Sequence, residues 1–280
     1  MKMSCLPVSL YPNLSAGTMK LPDWFAFAAE LGLDGADLSV VHLLSTDTAY
    51  LHSLRDQAAD LGIGIVMVVT YADFTHPDAT ERARQVDVLR RYIDVTAELG
   101  APYARVTAGQ AHPGVERAAG IEWAVTGLTS CLDYAAQAGV TLCYENHTKG
   151  YAWTYFDFTQ PADIFLEVMA RTQGTGLRLL FDTANTLATN DDPIAVLEQV
   201  KDRVSVIHTN DIARPGYYEP VVLGEGVAPI VPLYRILHEA GFDGWISVEE
   251  ASKQGKDGFR RAIPYADQAW VAAGGTARRR

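Results

Sequence analysis

Four side chains able to hold a hard metal ion close four successive apolar runs in the second half of this chain: Glu145 in TLCYEN, Asp182 in LRLLFDT, His208 in VSVIHTN and Glu249 in WISVEE. A lone acidic residue at the end of an apolar run means little, because strand ends are where polar residues return to water. Four in succession, separated by 37, 26 and 41 residues, are too far apart for one charged helix stripe and instead predict a cage assembled from four strands. Three carboxylates and one imidazole suit one divalent metal ion, with Mn²⁺ placed first and Mg²⁺, Co²⁺ and Zn²⁺ within the same ligand preferences.

Such a cage needs a rigid frame. Short apolar or β-branched runs alternate along the chain with longer amphipathic stretches, the pattern of a parallel sheet covered by helices. The strand candidates are LPVSLYP from Leu6, GADLS from Gly35, GIVMVVT from Gly64, YARVTAG from Tyr103, TLCYEN from Thr141, RLLFDT from Arg178, VSVIHTN from Val204 and WISVEE from Trp245. Helices are predicted at about 20–31, 47–61, 79–99, 116–138, 161–172, 193–201, 229–240 and 256–273. Several stop at a glycine, as in AELGLDG, ADLGIG and AQAGV, and Pro161, Pro193 and Pro229 stand where a first helical turn begins. Eight such units predict an α/β fold, a single (β/α)₈ TIM barrel over residues 1–280 with a short disordered basic tail, ARRR. An open doubly wound sheet is disfavoured, as no Gly-rich dinucleotide fingerprint follows the first strand. In a barrel the C-terminal strand ends face the mouth, so Glu145, Asp182, His208 and Glu249, from strands five to eight, can converge there.

Composition narrows the partners. With 280 residues and 48% hydrophobic content, the chain can bury the core of one large domain. A net charge of −11 argues against a nucleic-acid partner, which needs clustered Lys and Arg. There is no apolar run of membrane-spanning length, and the opening MKMSCLPVSLYP has no signal-peptide pattern, so a cytoplasmic protein without a membrane partner is expected. Cys5, Cys131 and Cys143 form no spaced pair and are expected as packed, reduced thiols.

Over nearly its whole length the chain resembles the sugar phosphate isomerase/epimerase branch of the xylose-isomerase-like TIM-barrel superfamily. That branch includes ketose 3-epimerases, inosose isomerase and dehydratase, hydroxypyruvate isomerase and C-glycoside deglycosidase relatives. The segments that carry the resemblance are LLFDTAN, HTND, and VLGEG followed by GWISVEE. It implies one divalent ion held by Glu145, Asp182, His208 and Glu249. Arg214, six residues after His208, matches a substrate contact of the ketose 3-epimerases. Asn185 stands where that group has a histidine, and Tyr151 where it often has a glutamate. Both departures argue against ketose 3-epimerisation itself.

A divalent cation bridging a carbonyl and its neighbouring hydroxyl acidifies the adjacent C–H and stabilises the enediolate. The leading expectation is therefore an isomerase or epimerase of a keto-sugar or keto-inositol. Glu145 and Glu249 would be base and acid, and His147, on the same strand face as Glu145, a third candidate base. The alternative is a metal-dependent lyase or dehydratase on a keto-sugar, such as a C-glycoside deglycosidase subunit cleaving 3-keto-glycosides with a second small subunit; otherwise a homo-oligomer is the expected state. In KGYAWTYFDF, Tyr151 and Trp153 are read either as a wall that stacks on a sugar or aglycone or as part of a satellite cluster. Asn185, Arg214 and Glu225 complete the predicted substrate contacts, and Asp211 is predicted to orient His208. His42 and His112 are expected to reach the mouth from their loops. Endonuclease-IV-like DNA repair would need more metal-binding histidines and a basic face, and a sugar sensor would have little need of an intact ligand set.

Overall fold

The computed structural model describes residues 1–278. Eight strands, β1 (Lys2–Leu6), β2 (Gly35–Ser39), β3 (Gly64–Val69), β4 (Tyr103–Val106), β5 (Thr141–Glu145), β6 (Arg178–Asp182), β7 (Val204–Thr209) and β8 (Trp245–Glu249), pair in parallel in the order β1-β8-β7-β6-β5-β4-β3-β2. The remaining seam, between β1 and β2, is bridged differently. Asp34 N–H donates to the Met3 carbonyl at 2.9 Å, Met3 N–H donates to Asp34 Oδ2 at 2.8 Å, and Ser4 Oγ donates to Asp37 Oδ2 at 2.9 Å. The expected TIM barrel is thus present and nearly closed.

Helices α1 (Tyr11–Ser15), α2 (Leu21–Glu30), α3 (Thr48–Asp60), α4 (Ala79–Glu98), α5 (Arg117–Thr129), α6 (Leu132–Gln137), α7 (Ala162–Arg171), α8 (Pro193–Val200), α9 (Ile230–Glu239) and α10 (Gly255–Ala272) surround the strands. Where a helix must turn back into a strand, Gly32 and Gly139 adopt φ of 69° and 74°, a conformation that costs other residues a Cβ clash. Among the described residues, no helix is long and apolar enough to cross a membrane. All three cysteines are buried and unpaired.

Three expectations need correction. The first strand is KMSCL, not LPVSLYP: Pro7 follows it, Val8–Leu10 form a 3₁₀ turn and Tyr11 begins α1. A short apolar run does not by itself distinguish a strand from a buried helical turn. The helix expected over 116–138 is two, because Cys131 leaves helical geometry (φ −118°, ψ 11°) and Ser130 Oγ donates to the Gly127 carbonyl at 2.7 Å. The tail is not free at Arg278, whose guanidinium bonds Asp267 at 2.6 and 3.0 Å and Asp34 at 3.0 Å. Residues 279 and 280 of that tail lie outside the described residues.

Strand periodicity sorts the core into two layers. Trp24, Phe25, Phe74, Phe165, Phe181 and Phe259 fill the space between strands and helices, while Leu6, Met67, Val69, Cys143, Leu180 and Val206 pack inside the barrel. Two residues beyond Cys143, Leu180 and Val206 along β5, β6 and β7 come Glu145, Asp182 and His208, on the same inward face. Register places Asp182 beside His208, and Glu249 beside Leu6.

Candidate metal centre and active site

The four predicted ligands meet. One donor atom from each of Glu145, Asp182, His208 and Glu249 lies within 4.8 Å of the other three. His208 Nδ1 is 3.1 Å from Glu145 Oε1 and 3.0 Å from Glu249 Oε2. Asp182 is held tightly: its Oδ1 accepts from the N–H groups of Ala184 (2.8 Å) and Asn185 (2.7 Å), and its own N–H donates to Asn146 Oδ1 at 2.7 Å. That leaves Asp182 Oδ2 buried without a hydrogen-bond partner. A buried orphan acceptor is uncommon, costing about 1–3 kcal/mol, and it marks where a cation fits beside the His208 Nδ1 that the two glutamates also face. Three carboxylates and one imidazole with donor atoms within 4.8 Å of one another are a donor set that fits one divalent cation.

The electrostatics agree. Burial pulls the His208 imidazole down, but its bonds to Glu145 and Glu249 and their charges outweigh burial and raise its pKa to about 10. Burial pushes the Glu145 carboxyl up, while Arg105 and His208 more than offset it and hold the group well below the usual carboxylate range. Burial and the charges of Glu249 and Glu145 push Asp182 well up. Without an ion, then, a proton on His208 is the main cation at the centre of the cage.

His147 stands where strand alternation placed it, at the same rim as Glu145. Its Nδ1 lies 3.4 Å from Asp157 Oδ2, at ion-pair distance but without hydrogen-bond geometry, and its ring meets Trp153 edge-on at 5.5 Å. Asp157 is itself anchored by Thr159, whose N–H and hydroxyl both donate to Oδ1 at 2.8 Å. Trp153 is buried, with its indole N–H on the Tyr71 carbonyl at 3.4 Å, so it walls the site. Asn185 is buried beside Asp182 with Oδ1 unpartnered.

Other expected contacts turn away. Arg214 has a side chain 68% exposed, lies 3.7 Å from Glu219 and rests over the Tyr217 ring. Glu225 is ion-paired with Arg261 of α10. Tyr151 is 56% exposed and packs edge-on against Tyr11 at the rim. Asp211 does not touch His208: its carboxylate accepts from the N–H groups of Ile212, Gly224, Gly226 and Ala228 at 2.9 to 3.0 Å and so ties down the loop after β7. His42 joins Tyr11 and Tyr151 at the rim, and His112 pairs with Asp73 at 2.7 Å, fixing the loop after β4.

Two residues went unread in the sequence. Arg105, only 3% exposed, places Nη1 at 3.4 Å from Glu145 Oε2; its signal was a cation inside the apolar run YARV, which a strand tolerates only beside a countercharge. Tyr218 donates to Glu249 Oε1 at 3.3 Å and accepts from Asn210 Nδ2 at 2.9 Å, and nothing in its loop sequence announced it.

A nearly closed parallel barrel with three carboxylates and a histidine grouped at the C-terminal ends of β5 to β8 defines a class of TIM-barrel proteins whose mouth can hold a divalent ion. Residues 25–269 match the family model of the xylose isomerase-like TIM barrel, and the chain belongs to that family. It is similar to the inosose dehydratase of Lacticaseibacillus casei, with 27% identity over 146 residues covering 46% of this chain. The match spans about half of that relative, 47% of its length. Among solved structures, the fold matches D-psicose 3-epimerase of Clostridium cellulolyticum H10, determined with D-tagatose, at a TM-score of 0.78 and 14% identity, over 96% of this chain and 99% of that one. It also matches the IOLI protein, determined with a bound zinc atom, at a TM-score of 0.78 and 18% identity, over 98% of both chains.

Proposed function

We propose that this protein is a divalent-metal-dependent enzyme that removes a proton next to the carbonyl of a keto-cyclitol or keto-sugar and then expels a hydroxyl group as water. The observation that carries the reading is the pairing of a four-residue metal cage with His147, a candidate base held by Asp157 and not itself a ligand. The similarity to an inosose dehydratase supports it.

When bound, the cation would be held by Glu145, Asp182, His208 and Glu249 and would stabilise negative charge growing on the carbonyl oxygen. The chain's own groups then divide the proton work. Glu145 is a poor base, since Oε1 faces His208 and Oε2 faces Arg105. His147 is free of such pairing on the side away from Asp157 and takes the proton from carbon. As the C–H electrons form the new double bond, the C–O bond two atoms from the carbonyl breaks, and the departing oxygen leaves as water with a proton returned from the protein. Glu249, the most open of the four ligands and bonded to Tyr218, lines the path for that proton. Trp153 and the loop it anchors keep bulk water off the developing charge.

A second reading, epimerisation, is favoured by one feature: Glu249, the most open of the four cage residues, would return a proton to the carbon from which His147 took one. One experiment separates the two. Metal-loaded protein is incubated in D₂O with inososes and ketoses and followed by NMR and mass spectrometry. Loss of water supports the dehydratase; deuterium incorporation without loss of water supports epimerisation; no exchange and no product refutes both.

A further inference from the structure

The direction of the His147 ring depends on one irregular segment. The ring lies between Asp157 and Trp153, and both belong to the stretch that links β5 to α7. At 3.4 Å and without hydrogen-bond geometry, the His147–Asp157 contact does not hold itself together, so it depends on whatever fixes that stretch.

One amide does most of the fixing. Gln110, in the loop after β4, accepts at Oε1 from the N–H groups of Thr154 (2.8 Å) and Tyr155 (3.0 Å) and donates from Nε2 to Asp73 Oδ2 at 2.9 Å. Two N–H donors on one side and a carboxylate on the other leave a single orientation for this amide. Its backbone is engaged as well, since Gln110 N–H donates to Asp73 Oδ1 at 2.9 Å and its carbonyl accepts from Thr75 Oγ1 at 2.8 Å. Beside it the loops after β4 and β5 run antiparallel, with Ala111 N–H on the Phe156 carbonyl and Phe158 N–H on the Gly109 carbonyl, each at 2.8 Å. Gly109, with φ of 127°, permits this approach, because a Cβ there would stand 2.5 Å from Asp73 Oδ1. Asp73 is buried, and its own N–H donates to Gln85 Oε1 of α4 at 3.1 Å, which ties the joint to the outer layer. By comparison, the Trp153 indole N–H reaches the Tyr71 carbonyl at 3.4 Å, so Gln110 makes the shorter bonds to this part of the segment.

We propose that Gln110 is a positioning residue for the reaction: its amide clamps the loop after β5 to those after β3 and β4, and through Asp157 and Trp153 it aims the His147 ring. The inference rests on the reading of His147 as the base and adds the group that sets its direction. Gln110 acts through these two neighbours and not on the substrate.

The test begins with NMR of Mg²⁺-loaded protein carrying ¹⁵N-labelled histidine, in which the His147 ring signals are assigned by their loss in His147→Asn. Gln110→Met keeps the length of the side chain and removes its three hydrogen bonds. It should displace or broaden the His147 signals while those of His52 on α3 and His238 on α9 stay in place. Water loss from inososes should fall about 10- to 100-fold in kcat, the cost of misplacing a reacting group by about 1 Å, with KM and metal content unchanged. In the His147→Asn background the same substitution should cost nothing further. Gln110→Glu, which keeps an acceptor for the two N–H groups and loses the link to Asp73, should displace the same signals and serves where Gln110→Met does not fold. Arg203→Met, which loosens the start of β6, should move neither the His147 signals nor kcat. Unmoved His147 signals in the Gln110 variants, or a kcat loss that persists undiminished in the His147→Asn background, would overturn the proposal and leave Gln110 as a loop brace. If no inosose loses water, the dehydration reading fails, while the ring signals still decide the role of Gln110.

Discussion

Loading this cage with a metal ion should expel protons, and the number can be worked from the structure. In the metal-free protein His208 is raised to about 10 by Glu145 and Glu249, so near pH 8 it is almost wholly protonated. Coordination needs the neutral ring. Binding must therefore release about one proton from His208. With one proton released, affinity rises about tenfold per pH unit as the pH climbs toward about 10 and levels off above it. Raising a histidine pKa from about 6.5 to about 10 corresponds to roughly 5 kcal/mol, most of which the ion must overcome near neutral pH. The sign for folding runs the same way. Because the folded-state pKa is above the unfolded value, His208 stabilises the metal-free fold fully below pH ~6.5, and that stability is lost as the pH rises through about 10. Calorimetry of Mn²⁺ binding in buffers of different ionisation enthalpy gives the proton count, and thermal melts with and without metal give the linkage. A count near zero with pH-independent affinity would refute the reasoning.

Further outcomes follow from other contacts. His147→Asn should lower turnover by about 10²- to 10⁴-fold with the metal still bound, and Asp157→Asn should reproduce part of that loss; unchanged rates would remove His147 as the base. Arg203 donates to the Met169 and Leu177 carbonyls at 2.6 and 2.8 Å and to Thr172 Oγ1 at 3.2 Å, tying the end of α7 to the start of β6. Arg203→Met should therefore cost about 2–4 kcal/mol in urea unfolding while leaving metal affinity intact. A Cβ on Gly127 would stand 2.1 Å from the Phe74 ring, so Gly127→Ala should destabilise by about 1–3 kcal/mol, readable as a lower Tm. Asp211→Ala frees four backbone N–H groups of the loop after β7, and limited proteolysis should show faster cleavage between 212 and 228.

Several features were legible in the residues because their cause is local. Strand alternation and the glycine stops gave seven of the eight strands their places, and the four candidate ligands stood out because each ends a run that must face inward. The first strand was misplaced because LPVSLYP is apolar throughout, and its helical turn is decided by Pro7 and the packing of Tyr11 rather than by period. The helix expected over 116–138 looked continuous because nothing in its composition marks the kink at Cys131, where a Ser130 hydroxyl bonds back to a carbonyl.

The sequence by itself determined the architecture and the four candidate ligands that meet at the mouth, since hydrophobic period and strand-end chemistry depend on neighbours a few residues apart. Only the tertiary structure decided which polar residues share the mouth. Arg214 sits six residues after His208 yet points to solvent, and Glu225 pairs with α10, whereas Arg105, 40 residues before Glu145, comes within ion-pairing distance of it. The physical reason is barrel closure: side-chain direction alternates within each strand, but which strands and loops meet across the mouth is set by the sheet's order and register, which no local pattern encodes.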